Sequence, residues 1–414
     1  MKQHLVALAV TLSLATPAIA AENSGTLVIA GGALSSATMD VYQAFADSAG
    51  NEKAKIGIVP AATGSINKKY LALQDIFAEF GVSKDNVILL PLAVKNDKKT
   101  KDVDESQWSK NGNDAELAKS IKDLNAIWFV GGDQTLITKV LLKEDGTDTP
   151  VLSSIREVYE KGGVLGGTSA GAAIMSQTMI AGGNSTGALI EGFKNDYSSM
   201  NEQEYGPVVT SRGLNFFPYG TIDQHFDRKG RLGRLIVSLL EDKKQDFAYG
   251  IDEGTALVVK DGQASVVGTG GVTVVNTKDA QHTSGEYPIK ASNIRLSYLQ
   301  PGDKFSLSEH SYESRPKSYT TVGHEYFEVP SQSVSGIMSS NRNLDEFIGF
   351  NLVDNKSASQ VVSWALNEQQ KGVRLVFSQD ETTQGYWSQD ITADVYSFEN
   401  LKLDIDPVEI TIRN

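Results

Sequence analysis

The chain has 414 residues, 40% of them hydrophobic and 21% charged, with a formal charge of −13 and no cysteine. This length supports a large core, or two domains. The missing cysteine excludes disulfides, thiol nucleophiles and thiolate metal sites together, and the acidic balance argues against nucleic acid as a partner. Residues 1–20 read MKQHLVALAVTLSLATPAIA, with a lysine at the start, an apolar run from Leu5 to Ala15, and a small-x-small close at Ala18-Ile19-Ala20. That is the pattern of a secretory signal peptide cleaved after Ala20. The run is short of the ~20 apolar residues that span a bilayer. No later segment is long and apolar enough to cross a membrane, so a secreted protein, periplasmic or extracellular, is expected.

From Thr26 the chain alternates strands and helices. TLVIA (Thr26–Ala30) ends in Gly31-Gly32 and leads to a helix over Val41–Ala49; KIGIVP (Lys55–Pro60) leads to a helix over Tyr70–Phe80; NVILL (Asn86–Leu90) is a third strand. AIWFV (Ala126–Val130) runs into GGDQ and a helix ending at Leu142, and Gly163–Leu165 runs into GGTSAG and a further helix. Continuous apolar strands alternating with helices predict an α/β fold, a mostly parallel sheet sandwiched by helices. The glycine pairs Gly31-Gly32, Gly131-Gly132 and Gly166-Gly167 all fall at carboxyl ends of strands, where such sheets carry their sites.

The rhythm changes near Ala248. GIDEGTALVVKDGQASVVGTGGVTVVN predicts consecutive strands with glycine turns, and NIRLSYLQPGDKFSL one more hairpin. Residues 21–310 are expected to form the catalytic domain. Residues 311–414 form a β-rich C-terminal accessory region with one helix near Ala358–Leu366.

Three clusters carry chemistry. Gly167-Thr168-Ser169-Ala170-Gly171 fits G-x-S-x-G, a serine raised on a strand-to-helix turn among small residues. Its own residues leave Ser169 as a nucleophile or a helix N-cap; without Gly-Lys-Ser/Thr, a phosphate-binding loop is less favoured. A serine nucleophile needs a base, and His225, in TIDQHF after a strand-like run, reaches the same sheet edge. His324-Glu325 opens like a zincin, but Glu328 stands where the second histidine belongs, so no metal site is expected there and no cofactor is called for. Downstream of His225, Arg231 and Arg234 stand three apart on one helical face, suited either to ion pairs with solvent or to a fork that holds carboxylates.

Taken together, GGDQ (Gly131–Gln134), GGTSAGAA (Gly166–Ala173), DQHF (Asp223–Phe226), GRLGRL (Gly230–Leu235) and GIDEGTAL (Gly250–Leu257) resemble the cyanophycinases over roughly Thr26 to Ser308. These are serine peptidases related to the aspartyl dipeptidases, on a glutamine amidotransferase-like fold. The resemblance implies hydrolysis of cyanophycin to β-Asp-Arg dipeptides through an acyl-enzyme, with a homodimer as the expected assembly. It implies Ser169 as nucleophile, His225 as base, and the N–H groups of Gly132 and Ala170 as oxyanion hole. Gln134, Asp223, Lys229, Arg231 and Arg234 fall at substrate-binding positions, Lys229 replacing the arginine usual there. The family's acid lies a little under twenty residues beyond the serine. Here Glu191 is the nearest carboxylate, with Asp223, Asp252 and Glu253 as the other candidates. A peptidase for aspartyl or isoaspartyl dipeptides is the alternative on the same fold, and a non-enzymatic binding protein the alternative outside it.

Overall fold

A computed structural model of the protein describes residues 25–194, 204–330, 336–338, 344–389 and 394–411. The leader expected over residues 1–20 lies outside the described residues. The first half of the chain builds β1 (Thr26–Ala30), α1 (Met39–Ala49), β2 (Ile56–Val59), α2 (Ile66–Glu79), β3 (Val87–Leu89), α3 (Ala115–Ile121), β4 (Ala126–Phe129), α4 (Gln134–Leu141), α5 (Pro150–Glu160), β5 (Val164–Thr168) and α6 (Ala170–Ala173). Strands β3, β2, β4, β5 and β1 lie side by side in that order, all parallel.

Alternation along these strands sends side chains to two separate cores. Val28, Ala30, Ala126 and Trp128 pack with Phe45 and Phe77 of α1 and α2. Leu27, Ile29, Ile127 and Phe129 pack with Ile137, Val140, Leu152 and Ile155 of α4 and α5. The helices thus cover both faces, as the sequence predicts. Gly166 and Gly167 lie inside β5 rather than beyond its end. A methyl at Gly166 would stand 2.5 Å from the Trp128 ring and 2.6 Å from Phe45, so that glycine lets the helix layer close on the sheet.

The chain then forms β6 (Thr178–Gly182), α7 (Ser185–Glu191), β7 (Phe193–Lys194), β8 (Val208–Arg212), β9 (Thr221–Asp223), α8 (Leu232–Asp242), β10 (Phe247–Ile251), β11 (Thr255–Lys260), β12 (Gln263–Gly268) and β13 (Val272–Asn276). It continues with β14 (Gln281–His282), β15 (Ala291–Leu299), β16 (Lys304–Ser306), β17 (Ser311–Glu313), β18 (Tyr319–Thr320), β19 (Gln360–Leu366), β20 (Lys371–Ser378), β21 (Gln384–Gln389) and β22 (Asp394–Glu409). Strand β11 pairs antiparallel with β1, and β12, β16 and β17 extend that sheet outward. A second sheet runs β9-β10-β13-β15-β22-β21-β18, with β20 also on β22.

Two local expectations are corrected. Residues 293–307 do not make a hairpin: β15 joins β13 and β22 in the second sheet, whereas β16 joins β12 in the first. The expected helix at Ala358–Leu366 is strand β19. Val361, Ser363 and Ala365 turn inward at every second position, and the β-branched Val361-Val362 pair suits the pleat. Strand β22 pairs along β15, so the region after residue 311 shares a sheet with the segment before it. Leu235 and Ile236 of α8, Leu296 of β15 and Leu403 of β22 meet in one core.

Candidate active site

Ser169 follows β5 directly and has φ 55° and ψ −111°, a left-handed conformation costly for any residue with a Cβ. The turn is crowded on both sides. A methyl at Gly167 would lie 2.3 Å from the Gly171 carbonyl oxygen, and one at Gly171 2.3 Å from that of Phe129. The Ser169 N–H donates to the Ala30 oxygen at 3.0 Å, which ties the turn to β1. Its carbonyl accepts from Ala172 and Ala173 as an N-cap carbonyl does, yet its hydroxyl makes no capping bond. The hydroxyl points elsewhere, at His225.

The Ser169 Oγ lies 2.8 Å from His225 Nε2, and His225 Nδ1 lies 2.5 Å from Glu253 Oε1. With Nδ1–H donating to the carboxylate, Nε2 is left to accept the serine proton. His225 follows β9 with φ 48°, and its N–H donates to the Gly31 oxygen at 2.7 Å. Gly32 is required beside it, because a methyl there would stand 2.4 Å from the imidazole Cε1. Burial lowers the His225 pKa below the ordinary histidine value; the Glu253 hydrogen bond opposes this, while the charges of Arg231 and Lys229 add to it.

The acid against His225 is therefore Glu253, from the loop between β10 and β11. Glu191, expected from its distance after the serine, stands exposed at the last position of α7 and is not among the partners of His225. Glu253 is itself held: its N–H donates to Asp227 Oδ1 at 3.0 Å, and the Asp227 N–H donates to Asp252 Oδ1 at 3.1 Å. The buried Asp252 also accepts from the Tyr298 hydroxyl at 2.6 Å and the Gly271 N–H at 3.0 Å. Desolvation, joined by the nearby charge of Asp227, pushes the Asp252 carboxyl well above the usual range.

Ala170 follows Ser169 directly, and Gly132 lines the same cavity as Ser169. A methyl at Gly132 would meet the Ala62 oxygen at 2.1 Å, so the chain passes there only as glycine. Among the described residues, neither the Gly132 nor the Ala170 N–H donates to a protein acceptor.

A polar cavity of about 230 Å³ adjoins Ser169 and His225, lined by Gln134, Glu204, Gln224, Lys229, Arg231 and Arg234 among others. Of the five predicted binding residues, Gln134, Lys229, Arg231 and Arg234 line it and Asp223 does not. Asp223 is fully buried and faces Arg234, whose Nε and Nη2 donate to its two oxygens at 2.7 and 2.5 Å. Burial alone would raise the Asp223 pKa, yet Arg234 and Arg231 hold it below the ordinary carboxylate value. Arg234 also donates to the Gly183 oxygen at 2.7 Å, and Arg231 to the Gln224 oxygen at 2.6 Å. Gln134 donates to the Ile180 oxygen at 3.0 Å. The acid that faces the cavity is Glu204, paired with Lys229 and 3.6 Å from Arg231. No motif marked Glu204, which follows a polar stretch without periodicity. Among the described residues no group of three or more His, Asp or Glu side chains could hold a metal ion, and no helix is long and apolar enough to cross a membrane.

The profile of "Peptidase family S51" matches residues 26–267. A cyanophycinase of Geminocystis herdmanii is 33% identical over 298 residues, covering 69% of this chain and 95% of its own. One of Trichormus variabilis is 31% identical over 311 residues, covering 73% and 91%. One of Synechococcus elongatus is 29% identical over 283 residues, covering 66% and 76%. A solved peptidase from an acI-B1 Actinobacterium aligns with TM-score 0.44 at 20% identity, over 69% of this chain and 97% of that one. The serine on its strained turn, with the histidine and acid behind it, belongs to the matched span, and the chain belongs to peptidase family S51 as a serine peptidase of the cyanophycinase type.

Proposed function

We propose that the chain hydrolyses cyanophycin, a poly-aspartate with arginine amide-linked to each β-carboxylate, and releases β-Asp-Arg dipeptides through an acyl-enzyme on Ser169. The observation that carries this is the Ser169–His225–Glu253 line opening on the charged cavity. Ser169 Oγ attacks the scissile carbonyl while His225 Nε2 takes its proton, and the Gly132 and Ala170 N–H groups receive the oxyanion. Collapse of the intermediate expels the amine, which leaves with the proton from His225. Water then repeats the attack on the ester with His225 as base, freeing Ser169. Glu253 orients the imidazole and stabilises the imidazolium.

The substrate offers both carboxylates and guanidinium groups, and the cavity offers partners for both. Arg231 and Lys229 suit carboxylates, Lys229 as a point charge without the two-point fork of an arginine. Glu204, whose side chain is 46% exposed, can exchange Lys229 for a substrate guanidinium. Asp223 acts one step back, by fixing Arg234.

Export rests on Lys2, the apolar run and Ala18-Ile19-Ala20, and a homodimer is the assembly proposed with it. The deciding experiment is incubation with purified cyanophycin and mass spectrometry of the products. β-Asp-Arg is expected; its absence, with turnover of soluble aspartyl dipeptides instead, would replace this reading with the dipeptidase. Intact mass of the exported protein, expected to begin after Ala20, and its sedimentation test the other two.

A further inference from the structure

A second cavity, of about 420 Å³, also opens on Ser169. It shares only Gly132, Ser169 and His225 with the charged one, and its remaining wall is largely apolar, with Leu34, Tyr42, Leu73 and Trp128. Lys69, in the first turn of α2, is the only lysine or arginine among its described lining residues. An ammonium in so apolar a setting is costly unless it has a specific partner. Burial accordingly lowers the Lys69 pKa. The partner is the Gly131 carbonyl oxygen, to which Lys69 Nζ donates at 2.8 Å.

That carbonyl belongs to the peptide whose N–H is Gly132's. In a trans peptide the C=O and N–H point to opposite sides, so whatever pins one aims the other. The peptide passes close over the nucleophile: a methyl at Gly131 would lie 3.1 Å from Ser169 Cβ and 3.0 Å from the Thr168 oxygen. With glycine on both sides, its rotation meets no side-chain barrier. Among the described residues no other group donates to the Gly131 carbonyl. The neighbouring Asp133 N–H is fixed on the Ala62 oxygen at 3.0 Å, which anchors the next peptide but not this one.

We propose that Lys69 is a positioning residue for the oxyanion hole: by holding the Gly131 carbonyl it keeps the Gly132 N–H turned toward the carbonyl attacked by Ser169. Lys69 touches no reacting atom in this scheme; it acts through one peptide plane. The proposal rests on the acyl-enzyme reading above but not on the identity of the substrate.

The test is the rate at which a fluorophosphonate labels Ser169. Ser169 Oγ bonds to phosphorus, fluoride leaves, His225 takes the serine proton, and the phosphonyl oxygen occupies the oxyanion position. Lys69→Met is expected to slow labelling by about 10²-fold, the loss that follows removal of one oxyanion donor, with its melting temperature close to that of the parent. Lys69→Arg, which keeps a donor within reach of the same carbonyl, is expected to recover most of that rate. On substrate, the loss is expected in kcat with KM little changed. Labelling of folded Lys69→Met at the parent rate, or a defect confined to KM, would overturn the proposal and make Lys69 a substrate contact. Lys69→Leu, which likewise has no donor, carries the same expectation should Lys69→Met fail to fold. Rapid labelling of the parent without turnover of cyanophycin would remove the proposed substrate and leave the role of Lys69 intact.

Discussion

The two sheets contribute to the active site in different currencies. The first, parallel sheet supplies backbone: the strained Ser169 turn after β5 and the Gly131-Gly132 passage after β4, with one hydroxyl between them. The second sheet supplies the titratable side chains, Asp223 from β9, His225 just after it and Glu253 from the loop after β10. They meet where the Gly254 N–H donates to the Gly32 oxygen at 2.9 Å and the His225 N–H to the Gly31 oxygen at 2.7 Å. The difference teaches that defects in the first sheet should cost rate at every pH, whereas defects in the second should also move pH dependence and stability.

The largest effects come from breaking the line where the sheets join. Ser169→Ala and His225→Ala should each lower kcat by on the order of 10⁶-fold, and the double variant by no more, because the two act as one unit. Steady-state kinetics on cyanophycin would show additivity if the residues worked separately. Next comes the acid. Glu253→Gln leaves the contact but loses the charge and the tautomer it selects, so kcat should fall by about 10⁴-fold. Glu191→Gln, at an exposed helix end, should leave turnover within twofold. The reverse result would return the acid to Glu191.

The parallel strands were legible because they are continuous apolar runs, with glycine pairs after β1 and close after β4. The second sheet was not, since some of its neighbours lie far apart in the chain: β15 pairs with β22, a hundred residues or more further on. No local pattern reports such a pairing. The strand character of Gln360–Leu366 was hidden otherwise: β19 pairs with the next strand, β20, and its short alternating run also fits a helical period. Ser169 and His225 could be found because each sits in a compact motif after a strand. Glu253 lay inside GIDEGTAL, a motif already singled out, and was passed over because the acid was sought by counting from the serine. The crossing from β10 in one sheet to β11 in the other is what carries Glu253 under the imidazole. The pairing of Asp223 with Arg234 was hidden for a different reason. Their side chains look alike as ligands whether they face a substrate or each other, and only burial separates the two.

That buried pair gives the next prediction. Asp223→Asn leaves the Arg234 guanidinium, itself 1% exposed, without its counter-charge. Removing one partner of a buried ion pair costs about 3–5 kcal/mol, to be read from urea unfolding near neutral pH. The sign of the pH dependence follows from the lowered Asp223 pKa. Its contribution is fully present above the unfolded value of about 3.9, and it is lost as pH falls through the folded one. The parent should therefore converge on Asp223→Asn in stability only in acid. Equal loss at all pH would mean that the pair matters for packing rather than charge.

The smallest effect is the most specific to the second sheet. Burial keeps His225 below its ordinary pKa, so the base remains neutral, and kcat/KM holds, at pH values where an exposed histidine would already be protonated. Lys229 adds to this through its charge. Lys229→Met should let the His225 pKa rise and move the acid limb of the kcat/KM profile to higher pH. The released Glu204 carboxylate, no longer paired, pushes in the same direction. Because Lys229 is partly exposed, the difference between variant and parent should shrink in molar salt, where such charges are screened. Glu253→Gln should move the limb the opposite way, since that carboxylate raises the histidine. Two variants on either side of one ring, shifting it in opposite directions, would place control of the base in the second sheet. A Ser169 turn that controlled it would leave both profiles where the parent has them.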